Sequence, residues 1–396
     1  MHQDFFQKGI KEIITEKSLK NLLRSGKKLR IKFGADPTRP DLHLGHMVAL
    51  WKLKELQDLG HRVIFIIGDY TAKIGDPSGR NTARPPLSDA EIKQNAKTYF
   101  SQVGKILDLK KTEIRYNSGW LAKMTFSEIL NLAAKFTVAS LLERDDFQRR
   151  FQKGREIGLH EVLYPVVQAY DSVVVKADIE IGGSDQKFNI LAGRELQKKM
   201  GQKPQEIILT KLLVGLDGKN KMSKSADNYI GITEPAKTIF GKVMSLPDEL
   251  ILDYFELCTL LSLKEIQKIK ESLKKGTNPR DVKIRLAKEI VALYYDTQTA
   301  EREAEEFIKV FSQKKIPQRI PSIAVSPKSL TLLDILRKCY DEKEKSNSEL
   351  RRLINQKAIE INGQTKNEPL EKITLSQEGI ILKVGKKDWF RVIPEK

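Results

Sequence analysis

A doubly wound parallel α/β sheet, followed by an all-α domain and a small α+β unit, is the fold class this sequence predicts. Three observations predict it. Residues 29–33, 45–59 and 63–69 read as strand, helix and strand, the βαβ unit from which parallel sheets are built. From Pro247 to residue 315 the apolar residues recur only at helical spacing, with no strand candidate. The last stretch, 330–396, alternates short apolar runs with one capped helix.

In chain order, Ile10, Ile13, Ile14 and then Leu19, Leu22 and Leu23 stand at helical spacing. Residues 4–26 are therefore expected to form one or two helices, stopped by Gly26. The first strand covers 29–33. The helix 45–59 ends at Gly60, and Val63-Ile64-Phe65-Ile66-Ile67 is a continuous apolar strand of the kind buried on both faces. A Ser88-x-x-Glu91 capping box opens a helix over 88–107, and 114–117 is a short strand. Residues 126–150 predict one helix with Phe126, Ile129, Leu130, Ala133, Phe136, Leu141 and Leu142 on its apolar face. On the helix that follows, Tyr164, Gln168 and Asp171 share a face. Strands are expected at 177–181 and 207–213, with a helix over 188–200 between them. Beyond the helical region, Pro317, Pro321 and Pro327 suggest a linker. A Ser346-x-x-Glu349 box opens a helix to Gln356, and strands follow at 358–361, 380–384 and 389–392. The expected domains are 1–240, with a helical insertion near 120–160, then 241–315, a linker 316–329, and 330–396.

The 396 residues exceed one ordinary domain, and 40% hydrophobic with 31% charged is a normal soluble composition. The net charge of +18 fits a polyanion partner such as nucleic acid, and equally a Lys/Glu-rich surface. Two cysteines, Cys258 and Cys339, lie far apart without metal spacing, which speaks against a disulfide framework. The start, His2-Gln3-Asp4-Phe5-Phe6, lacks the pattern of a signal peptide, and no apolar run reaches membrane-spanning length. A reduced, cytoplasmic protein is expected.

Two loops carry chemistry. In Asp36-Pro37-Thr38-Arg39-Pro40-Asp41-Leu42-His43-Leu44-Gly45-His46, two histidines bracket a glycine at a helix start. Helix N-termini collect anions, and Gly45 permits close backbone approach by a phosphate or a purine. Only five histidines exist and no third ligand is placed beside this pair, so a metal site is disfavoured. The second loop, Lys221-Met222-Ser223-Lys224-Ser225, sets lysines on a basic, mobile-looking segment suited to charge that develops during reaction. Between them, Gly75-Asp76-Pro77-Ser78-Gly79-Arg80 and Arg84 form a polar loop after a sheet strand. A basic cluster, Arg144, Arg149, Arg150, Lys153 and Arg155, is either a solvated helix end or a phosphate-backbone contact. No nucleophile–base triad or acid pair is evident.

The pairing of His43-Leu44-Gly45-His46 with Lys221–Ser225 resembles the class I aminoacyl-tRNA synthetases. Asp36-Pro37-Thr38, Ile74-Gly75-Asp76-Pro77-Ser78-Gly79, Tyr164-x-x-x-Gln168-x-x-Asp171 and Gly182-Gly183-Ser184-Asp185-Gln186 narrow the resemblance to the bacterial tyrosyl-tRNA synthetases. The run from Ser348 to Ile354, with Ile359 to Gly363, is similar to an RNA-binding domain shared with a small-subunit ribosomal protein. The resemblance implies a Rossmann-like catalytic domain, an α-helical domain serving the anticodon region, a C-terminal RNA-binding domain, and a homodimer with its seam near 120–160. It implies activation of L-tyrosine by ATP to tyrosyl-adenylate and pyrophosphate. Transfer to the 3′-terminal adenosine of tRNA(Tyr) follows. ATP is a substrate, with Mg2+ expected on its phosphates and no protein-bound metal or organic cofactor.

By the same resemblance, His43, His46 and Thr38 contact the ATP phosphates. Lys221 and Lys224 stabilise leaving pyrophosphate, assisted by Arg80 and Arg84. Asp36, Gly45, Asp185, Met222 and Ser223 complete the nucleotide site. Asp76, Tyr164 and Gln168 hold the tyrosine ammonium, Asp171 accepts from the phenol, and Gly34, Asp36 and Gln186 border the amino acid. Arg149, Arg150, Lys153, Arg351 and Arg352 are the tRNA candidates. One position departs from the family pattern: Lys32 stands where a tyrosine often meets the phenol. It either donates to that oxygen or points elsewhere and leaves Asp171 other partners. A nucleotidyltransferase without RNA-binding function, and a catalytically inactive RNA-binding relative, are the rival readings.

Overall fold

The computed structural model describes residues 4–38, 40–78, 87–312, 320–326, 330–340, 345–376, 379–385 and 388–395, with backbone alone at 310–312. The chain divides into two compact units, Met1–Glu303 and Ala304–Lys396.

The first unit is built on a six-stranded sheet. Its strands are β1 (Ile10–Ile14), β2 (Arg30–Ala35), β3 (Arg62–Ile67), β4 (Thr112–Tyr116), β5 (Ile179–Gly183) and β6 (Glu206–Thr210), in the order β1-β6-β5-β2-β3-β4. β2 through β6 pair in parallel and β1 is antiparallel to β6. From β2 the chain winds outward through β3 and β4, then returns to β5 on the other side of β2. The strand order therefore reverses between β2 and β5, and in such sheets ligands bind in the crevice at the carboxyl ends of the strands there. Val63–Ile67 of β3 and Ile207–Leu209 of β6 are continuous apolar, buried runs, the pattern of strands covered on both faces. The Ser88 box closes as expected over the helix Asp89–Val103.

Two expectations are corrected. Ile10–Ile14 is an edge strand rather than part of a helix. A bulge between Ile10 and Glu12 breaks the two-residue alternation that would have revealed it, and the pairing with Ile207, Ile208 and Thr210 supplies the stabilisation. The segment 126–150 is three short helices, Phe126–Ala133, Val138–Leu142 and Asp145–Gln152. Thr125 and Thr137 each accept a hydrogen bond from a backbone N–H of the turn they open, so the apolar spacing continues while the helix axis restarts.

The helices Ile251–Cys258, Leu263–Lys274 and Pro279–Tyr294 belong to the same compact unit as the sheet. Tyr254 donates to the Val214 carbonyl at 2.7 Å, and Lys211 pairs with Glu256 at 2.8 Å, which fastens this helical region beside the Lys221 loop.

The second unit holds β7 (Ser322–Val325), β8 (Ile359–Ile361), β9 (Gln364–Lys366), β10 (Ile380–Val384) and β11 (Asp388–Pro394), ordered β7-β11-β10-β8-β9. β7 lies in the proline-bearing stretch expected to be linker, where its edge position beside β11 tolerates the preceding Pro321. Helices Leu332–Cys339 and Asn347–Asn355 pack Leu332, Leu336, Leu350 and Ile354 against Leu382 and Val392. No helix among the described residues is long and apolar enough to cross a membrane.

Candidate active site

The loop leaving β2 and the loop leaving β5 meet over the reversal point. His43 and His46 lie against each other with ring centroids 3.9 Å apart and planes tilted 41° at the start of the helix Leu44–Asp58. The backbone N–H of His43 donates to His46 Nδ1 at 3.2 Å, which leaves the His46 proton on Nε2, directed away from the helix backbone. Burial, reinforced by the charges of Lys224 and Lys221, pushes His46 down to about 4. His43 is pushed down to about 2 by burial, by His46 and by the same two lysines. Both rings are neutral at pH 7 and act as N–H donors. A Cβ on Gly45 would sit 3.1 Å from the His43 ring and 3.6 Å from Met222, so glycine leaves room for the ring beside the helix start.

The lysine loop is strapped to this helix start. Leu44 N–H donates to the Ile230 carbonyl, and Ile232 N–H to the Leu42 carbonyl, at 3.0 and 3.1 Å. The loop expected to be mobile is braced: Asn228 accepts from the Ser223 N–H at 2.8 Å and donates to Asp217 at 3.0 Å, while Asp217 accepts from the backbone of Lys219 and Asn220. Lys221 pairs with Asp185 at 2.8 Å and Lys224 with Asp41 at 3.1 Å. Both ammonium groups are thus held by carboxylates beside the histidines, where an anionic ligand can compete for them. Thr38 lies half-buried on the same loop as His43. Arg80 and Arg84 lie outside the described residues.

A second polar group lines the adjoining crevice. The helix Leu159–Val174 presents Tyr164, Gln168 and Asp171 from one face, as expected. Tyr164 donates to Asp36 at 2.9 Å, and Thr71 donates to the other Asp36 oxygen at 2.7 Å. A Cβ on Gly68 would come within 2.0 Å of Asp36, so that glycine is required by the carboxylate's position. An added Cβ on Gly34 would meet nothing within 4 Å, which marks the open floor of the crevice. Asp171 is buried and accepts from Trp120 Nε1 at 2.9 Å and Asn117 Nδ2 at 3.3 Å; burial pushes its carboxyl up to about 6, against the pull of Lys32 and the two donors.

Asp76 sits at the end of a directional chain. Arg144 donates to Asn189 at 2.9 Å, Asn189 to Gln186 at 2.8 Å, and Gln186 to Asp76 at 2.8 Å. A guanidinium has no acceptor, so Arg144 fixes the sense of every amide that follows. Its own charge is met by Asp146 in a two-pronged pair at 3.0 and 3.1 Å.

Three sequence expectations change here. Lys32 is fully buried and reaches Glu180 at 2.9 Å and Ser172 at 2.7 Å, so it is a strut beneath the pocket rather than a ligand on its surface. Arg150 is buried in a two-pronged pair with Glu161 at 2.7 and 2.9 Å, leaving only Arg149 and Lys153 of that trio exposed to a polyanion. Arg144, grouped by sequence with the basic cluster, is buried and paired with Asp146. Trp120, Asn117 and Glu180 were missed. For Glu180 a signal existed, because Ile179-Glu180-Ile181 and Ile31-Lys32-Phe33 each hold one charge of opposite sign in an apolar strand. Arg351 and Arg352 are exposed on the helix Asn347–Asn355 of the second unit.

The family described as tRNA synthetases class I (W and Y) matches residues 24–312, more than half of the chain. The chain belongs to that family. Curated relatives of this synthetase named tyrosine–tRNA ligase include one from Idiomarina loihiensis, 47% identical over 97% of this chain and 96% of its own. Others come from Francisella tularensis, 48% identical over 98% of each chain, and Thermotoga maritima, 45% identical over 98% and 96%. Among solved structures, tyrosyl-tRNA synthetase from Archaeoglobus fulgidus complexed with L-tyrosine is similar with a TM-score of 0.61 at 23% identity, covering 76% of this chain and 98% of that one. A C-terminally truncated mitochondrial tyrosyl-tRNA synthetase from Aspergillus nidulans has a TM-score of 0.64 at 22% identity, covering 78% and 93%. At those identities the two structures speak to the fold alone.

Proposed function

We propose that this synthetase activates L-tyrosine with ATP to tyrosyl-adenylate and pyrophosphate, then transfers the tyrosyl group to the 3′-terminal adenosine of tRNA(Tyr). The observation that carries the reading is the meeting, at one sheet reversal, of a neutral His pair, two lysines on a braced loop, and a crevice ending in buried Asp171. The tyrosine carboxylate attacks the α-phosphate of ATP; the bond to the β-phosphate oxygen breaks, and pyrophosphate leaves with its charge. No protein nucleophile is required. Positioning and stabilisation of developing charge suffice. His43 and His46, with Thr38, donate to the phosphates. Lys221 and Lys224 exchange Asp185 and Asp41 for pyrophosphate oxygens, with Arg80 and Arg84 as further partners. Gly45, Met222 and Ser223 flank the nucleotide. Mg2+ is expected to arrive on the phosphates as part of the substrate.

In the crevice, Asp76, Tyr164 and the Gln168 amide oxygen suit an α-ammonium, with Asp36 and Gln186 holding the first two in place. Asp171 has each oxygen tied to one donor and keeps a free lone pair for a phenol O–H. Pyrophosphate exchange across the twenty amino acids tests the reading. Tyrosine alone should support exchange; exchange with tryptophan only, or none, sinks it. Arg351 and Arg352, with Arg149 and Lys153, are proposed to meet tRNA. Neutralising Arg351 and Arg352 should weaken aminoacylation while sparing exchange, and equal loss in both assays would point to misfolding instead.

The insertion supports a homodimer. Phe126, Val138 and Leu159, each the first residue of its helix, are 74%, 68% and 74% exposed, unusually high for large apolar side chains. Sedimentation at micromolar concentration should give a dimer, and Leu159→Glu with Val138→Glu a monomer. Working on tRNA and ATP, the synthetase is expected in the cytoplasm.

A further inference from the structure

We infer that Glu180 is a positioning residue that sets which end of the Gln168 side-chain amide faces the amino-acid pocket, with Lys32 as its fixed counter-charge. The inference rests on the tyrosine-binding reading of that pocket and deepens it.

Lys32 and Glu180 are cross-strand partners in the β2–β5 pairing, at the sheet reversal beneath the crevice. Both are buried, at 0% and 1% exposure. Among the described residues, the four groups that hydrogen-bond the carboxylate all donate to it. One oxygen takes Lys32 Nζ at 2.9 Å and Gln168 Nε2 at 3.3 Å; the other takes Ser172 Oγ at 2.9 Å and the Gln205 amide. Ser172 in turn accepts from Lys32 at 2.7 Å. Four donors fill the roughly four lone-pair sites of a carboxylate, so Glu180 can accept and never donate.

That asymmetry acts on Gln168. A side-chain amide has a donor end and an acceptor end of nearly equal shape, and only its partners decide between the two orientations. Reversal here would press the Gln168 oxygen against a carboxylate oxygen. The amide nitrogen is therefore drawn down to Glu180 and the oxygen lies at the opposite corner. That oxygen is buried and has no partner among the described residues. An unpaired buried acceptor is costly in the free protein and pairs when a donor arrives. One turn earlier on the same helix, Tyr164 is held by Asp36. The α-ammonium of an amino acid is the donor that fits this acceptor. A neutral amide in place of Glu180 could rotate to donate, and Gln168 would then turn its own N–H groups toward the ammonium.

Glu180→Gln alone would strand the buried Lys32 charge, which is itself destabilising. The informative variant is the neutral pair Lys32→Met with Glu180→Gln, its folding checked by thermal unfolding. Calorimetry would compare L-tyrosinol, which keeps the ammonium, with 3-(4-hydroxyphenyl)propanoate, which lacks it. The pair should weaken tyrosinol about tenfold and change the propanoate less than twofold. In a Gln168→Ala background the same pair should add no further loss of tyrosinol affinity, since the group it positions is gone. Equal weakening of both ligands, no weakening of tyrosinol, or an undiminished effect in the Gln168→Ala background would overturn the inference. Failure of the unsubstituted protein to bind tyrosinol would sink the tyrosine reading, and this inference with it.

Discussion

Lys221→Met is expected to slow tyrosyl-adenylate formation about a hundredfold to a thousandfold, the usual cost of removing one preorganised group from a developing anion, while tyrosine affinity stays within about twofold. The electrostatics of the site lead to this division. His43 and His46 are held at about 2 and about 4, so neither ring carries positive charge at pH 7. Among the described groups, the charge that meets pyrophosphate must come from the lysines. Both lysines lie close enough to the two rings to depress their proton affinity. Lys221 is exposed and, among the described residues, its ammonium pairs with Asp185, so it exchanges one anion for another at little cost. Single-turnover kinetics with saturating tyrosine and ATP would measure the rate, and equilibrium dialysis the affinity. A rate loss below tenfold, or a parallel loss of tyrosine affinity, would remove Lys221 from the chemistry.

What the sequence disclosed was what is written locally. The histidine loop, the lysine loop and the capping boxes at Ser88 and Ser346 each depend on residues a few positions apart, and each is where it was expected. The apolar runs of β3 and β6, Val63–Ile67 and Ile207–Leu209, could be read from composition. β1 was hidden because its stabilising partner, β6, is remote in the chain and because its bulge disrupts the alternation of a strand. The hairpin of β8 and β9 carried an Asn362-Gly363 turn, with both residues at positive φ, and was legible in hindsight from that dipeptide alone.

The pocket divides the same way. Tyr164, Gln168 and Asp171 were readable as one helix face, since helical spacing is local. What holds them was not. Asp171 owes its environment to Trp120 and Asn117, which follow β4, and Asp76 owes its orientation to Arg144 through two amides. Arg144 had been grouped by composition with a basic cluster, although its charge is spent on Asp146. Charge in a sequence gives the sign of a group, and only the fold gives its partner. Lys32 makes the point most sharply: its role is fixed by a strand register that pairs it with Glu180.

Asp171→Asn should lower kcat/KM for tyrosine about a hundredfold, leave that for phenylalanine unchanged, and abolish a pH dependence centred near 6. The loss follows from exchanging a hydrogen bond to a charged acceptor, worth about 1.5–3 kcal/mol, for an amide whose nitrogen must oppose Trp120, Asn117 or the phenol. The pH dependence follows from the buried carboxyl, held at about 6 against an ordinary 3.8. Above that pH it is charged and accepts strongly from a phenol. As pH falls through 6 it gains a proton, and tyrosine turnover should drop about tenfold between pH 7 and pH 5, the difference between a charged and a neutral hydrogen bond. Phenylalanine, with no hydroxyl, should give a flat profile over the same range. Stability moves in the opposite sense. Because the folded-state value lies above the unfolded one, this group's stabilising contribution is complete below 3.8 and is lost as pH rises through about 6, by at most about 3 kcal/mol. Acidification therefore weakens tyrosine turnover while Asp171 itself favours the folded chain, so an acid limb produced by unfolding can be told from one produced at the phenol. Turnover of tyrosine and phenylalanine, measured beside thermal unfolding from pH 5 to pH 8, separates the two. A tyrosine profile without a step near 6, or one that phenylalanine shares, would remove Asp171 as the phenol's acceptor.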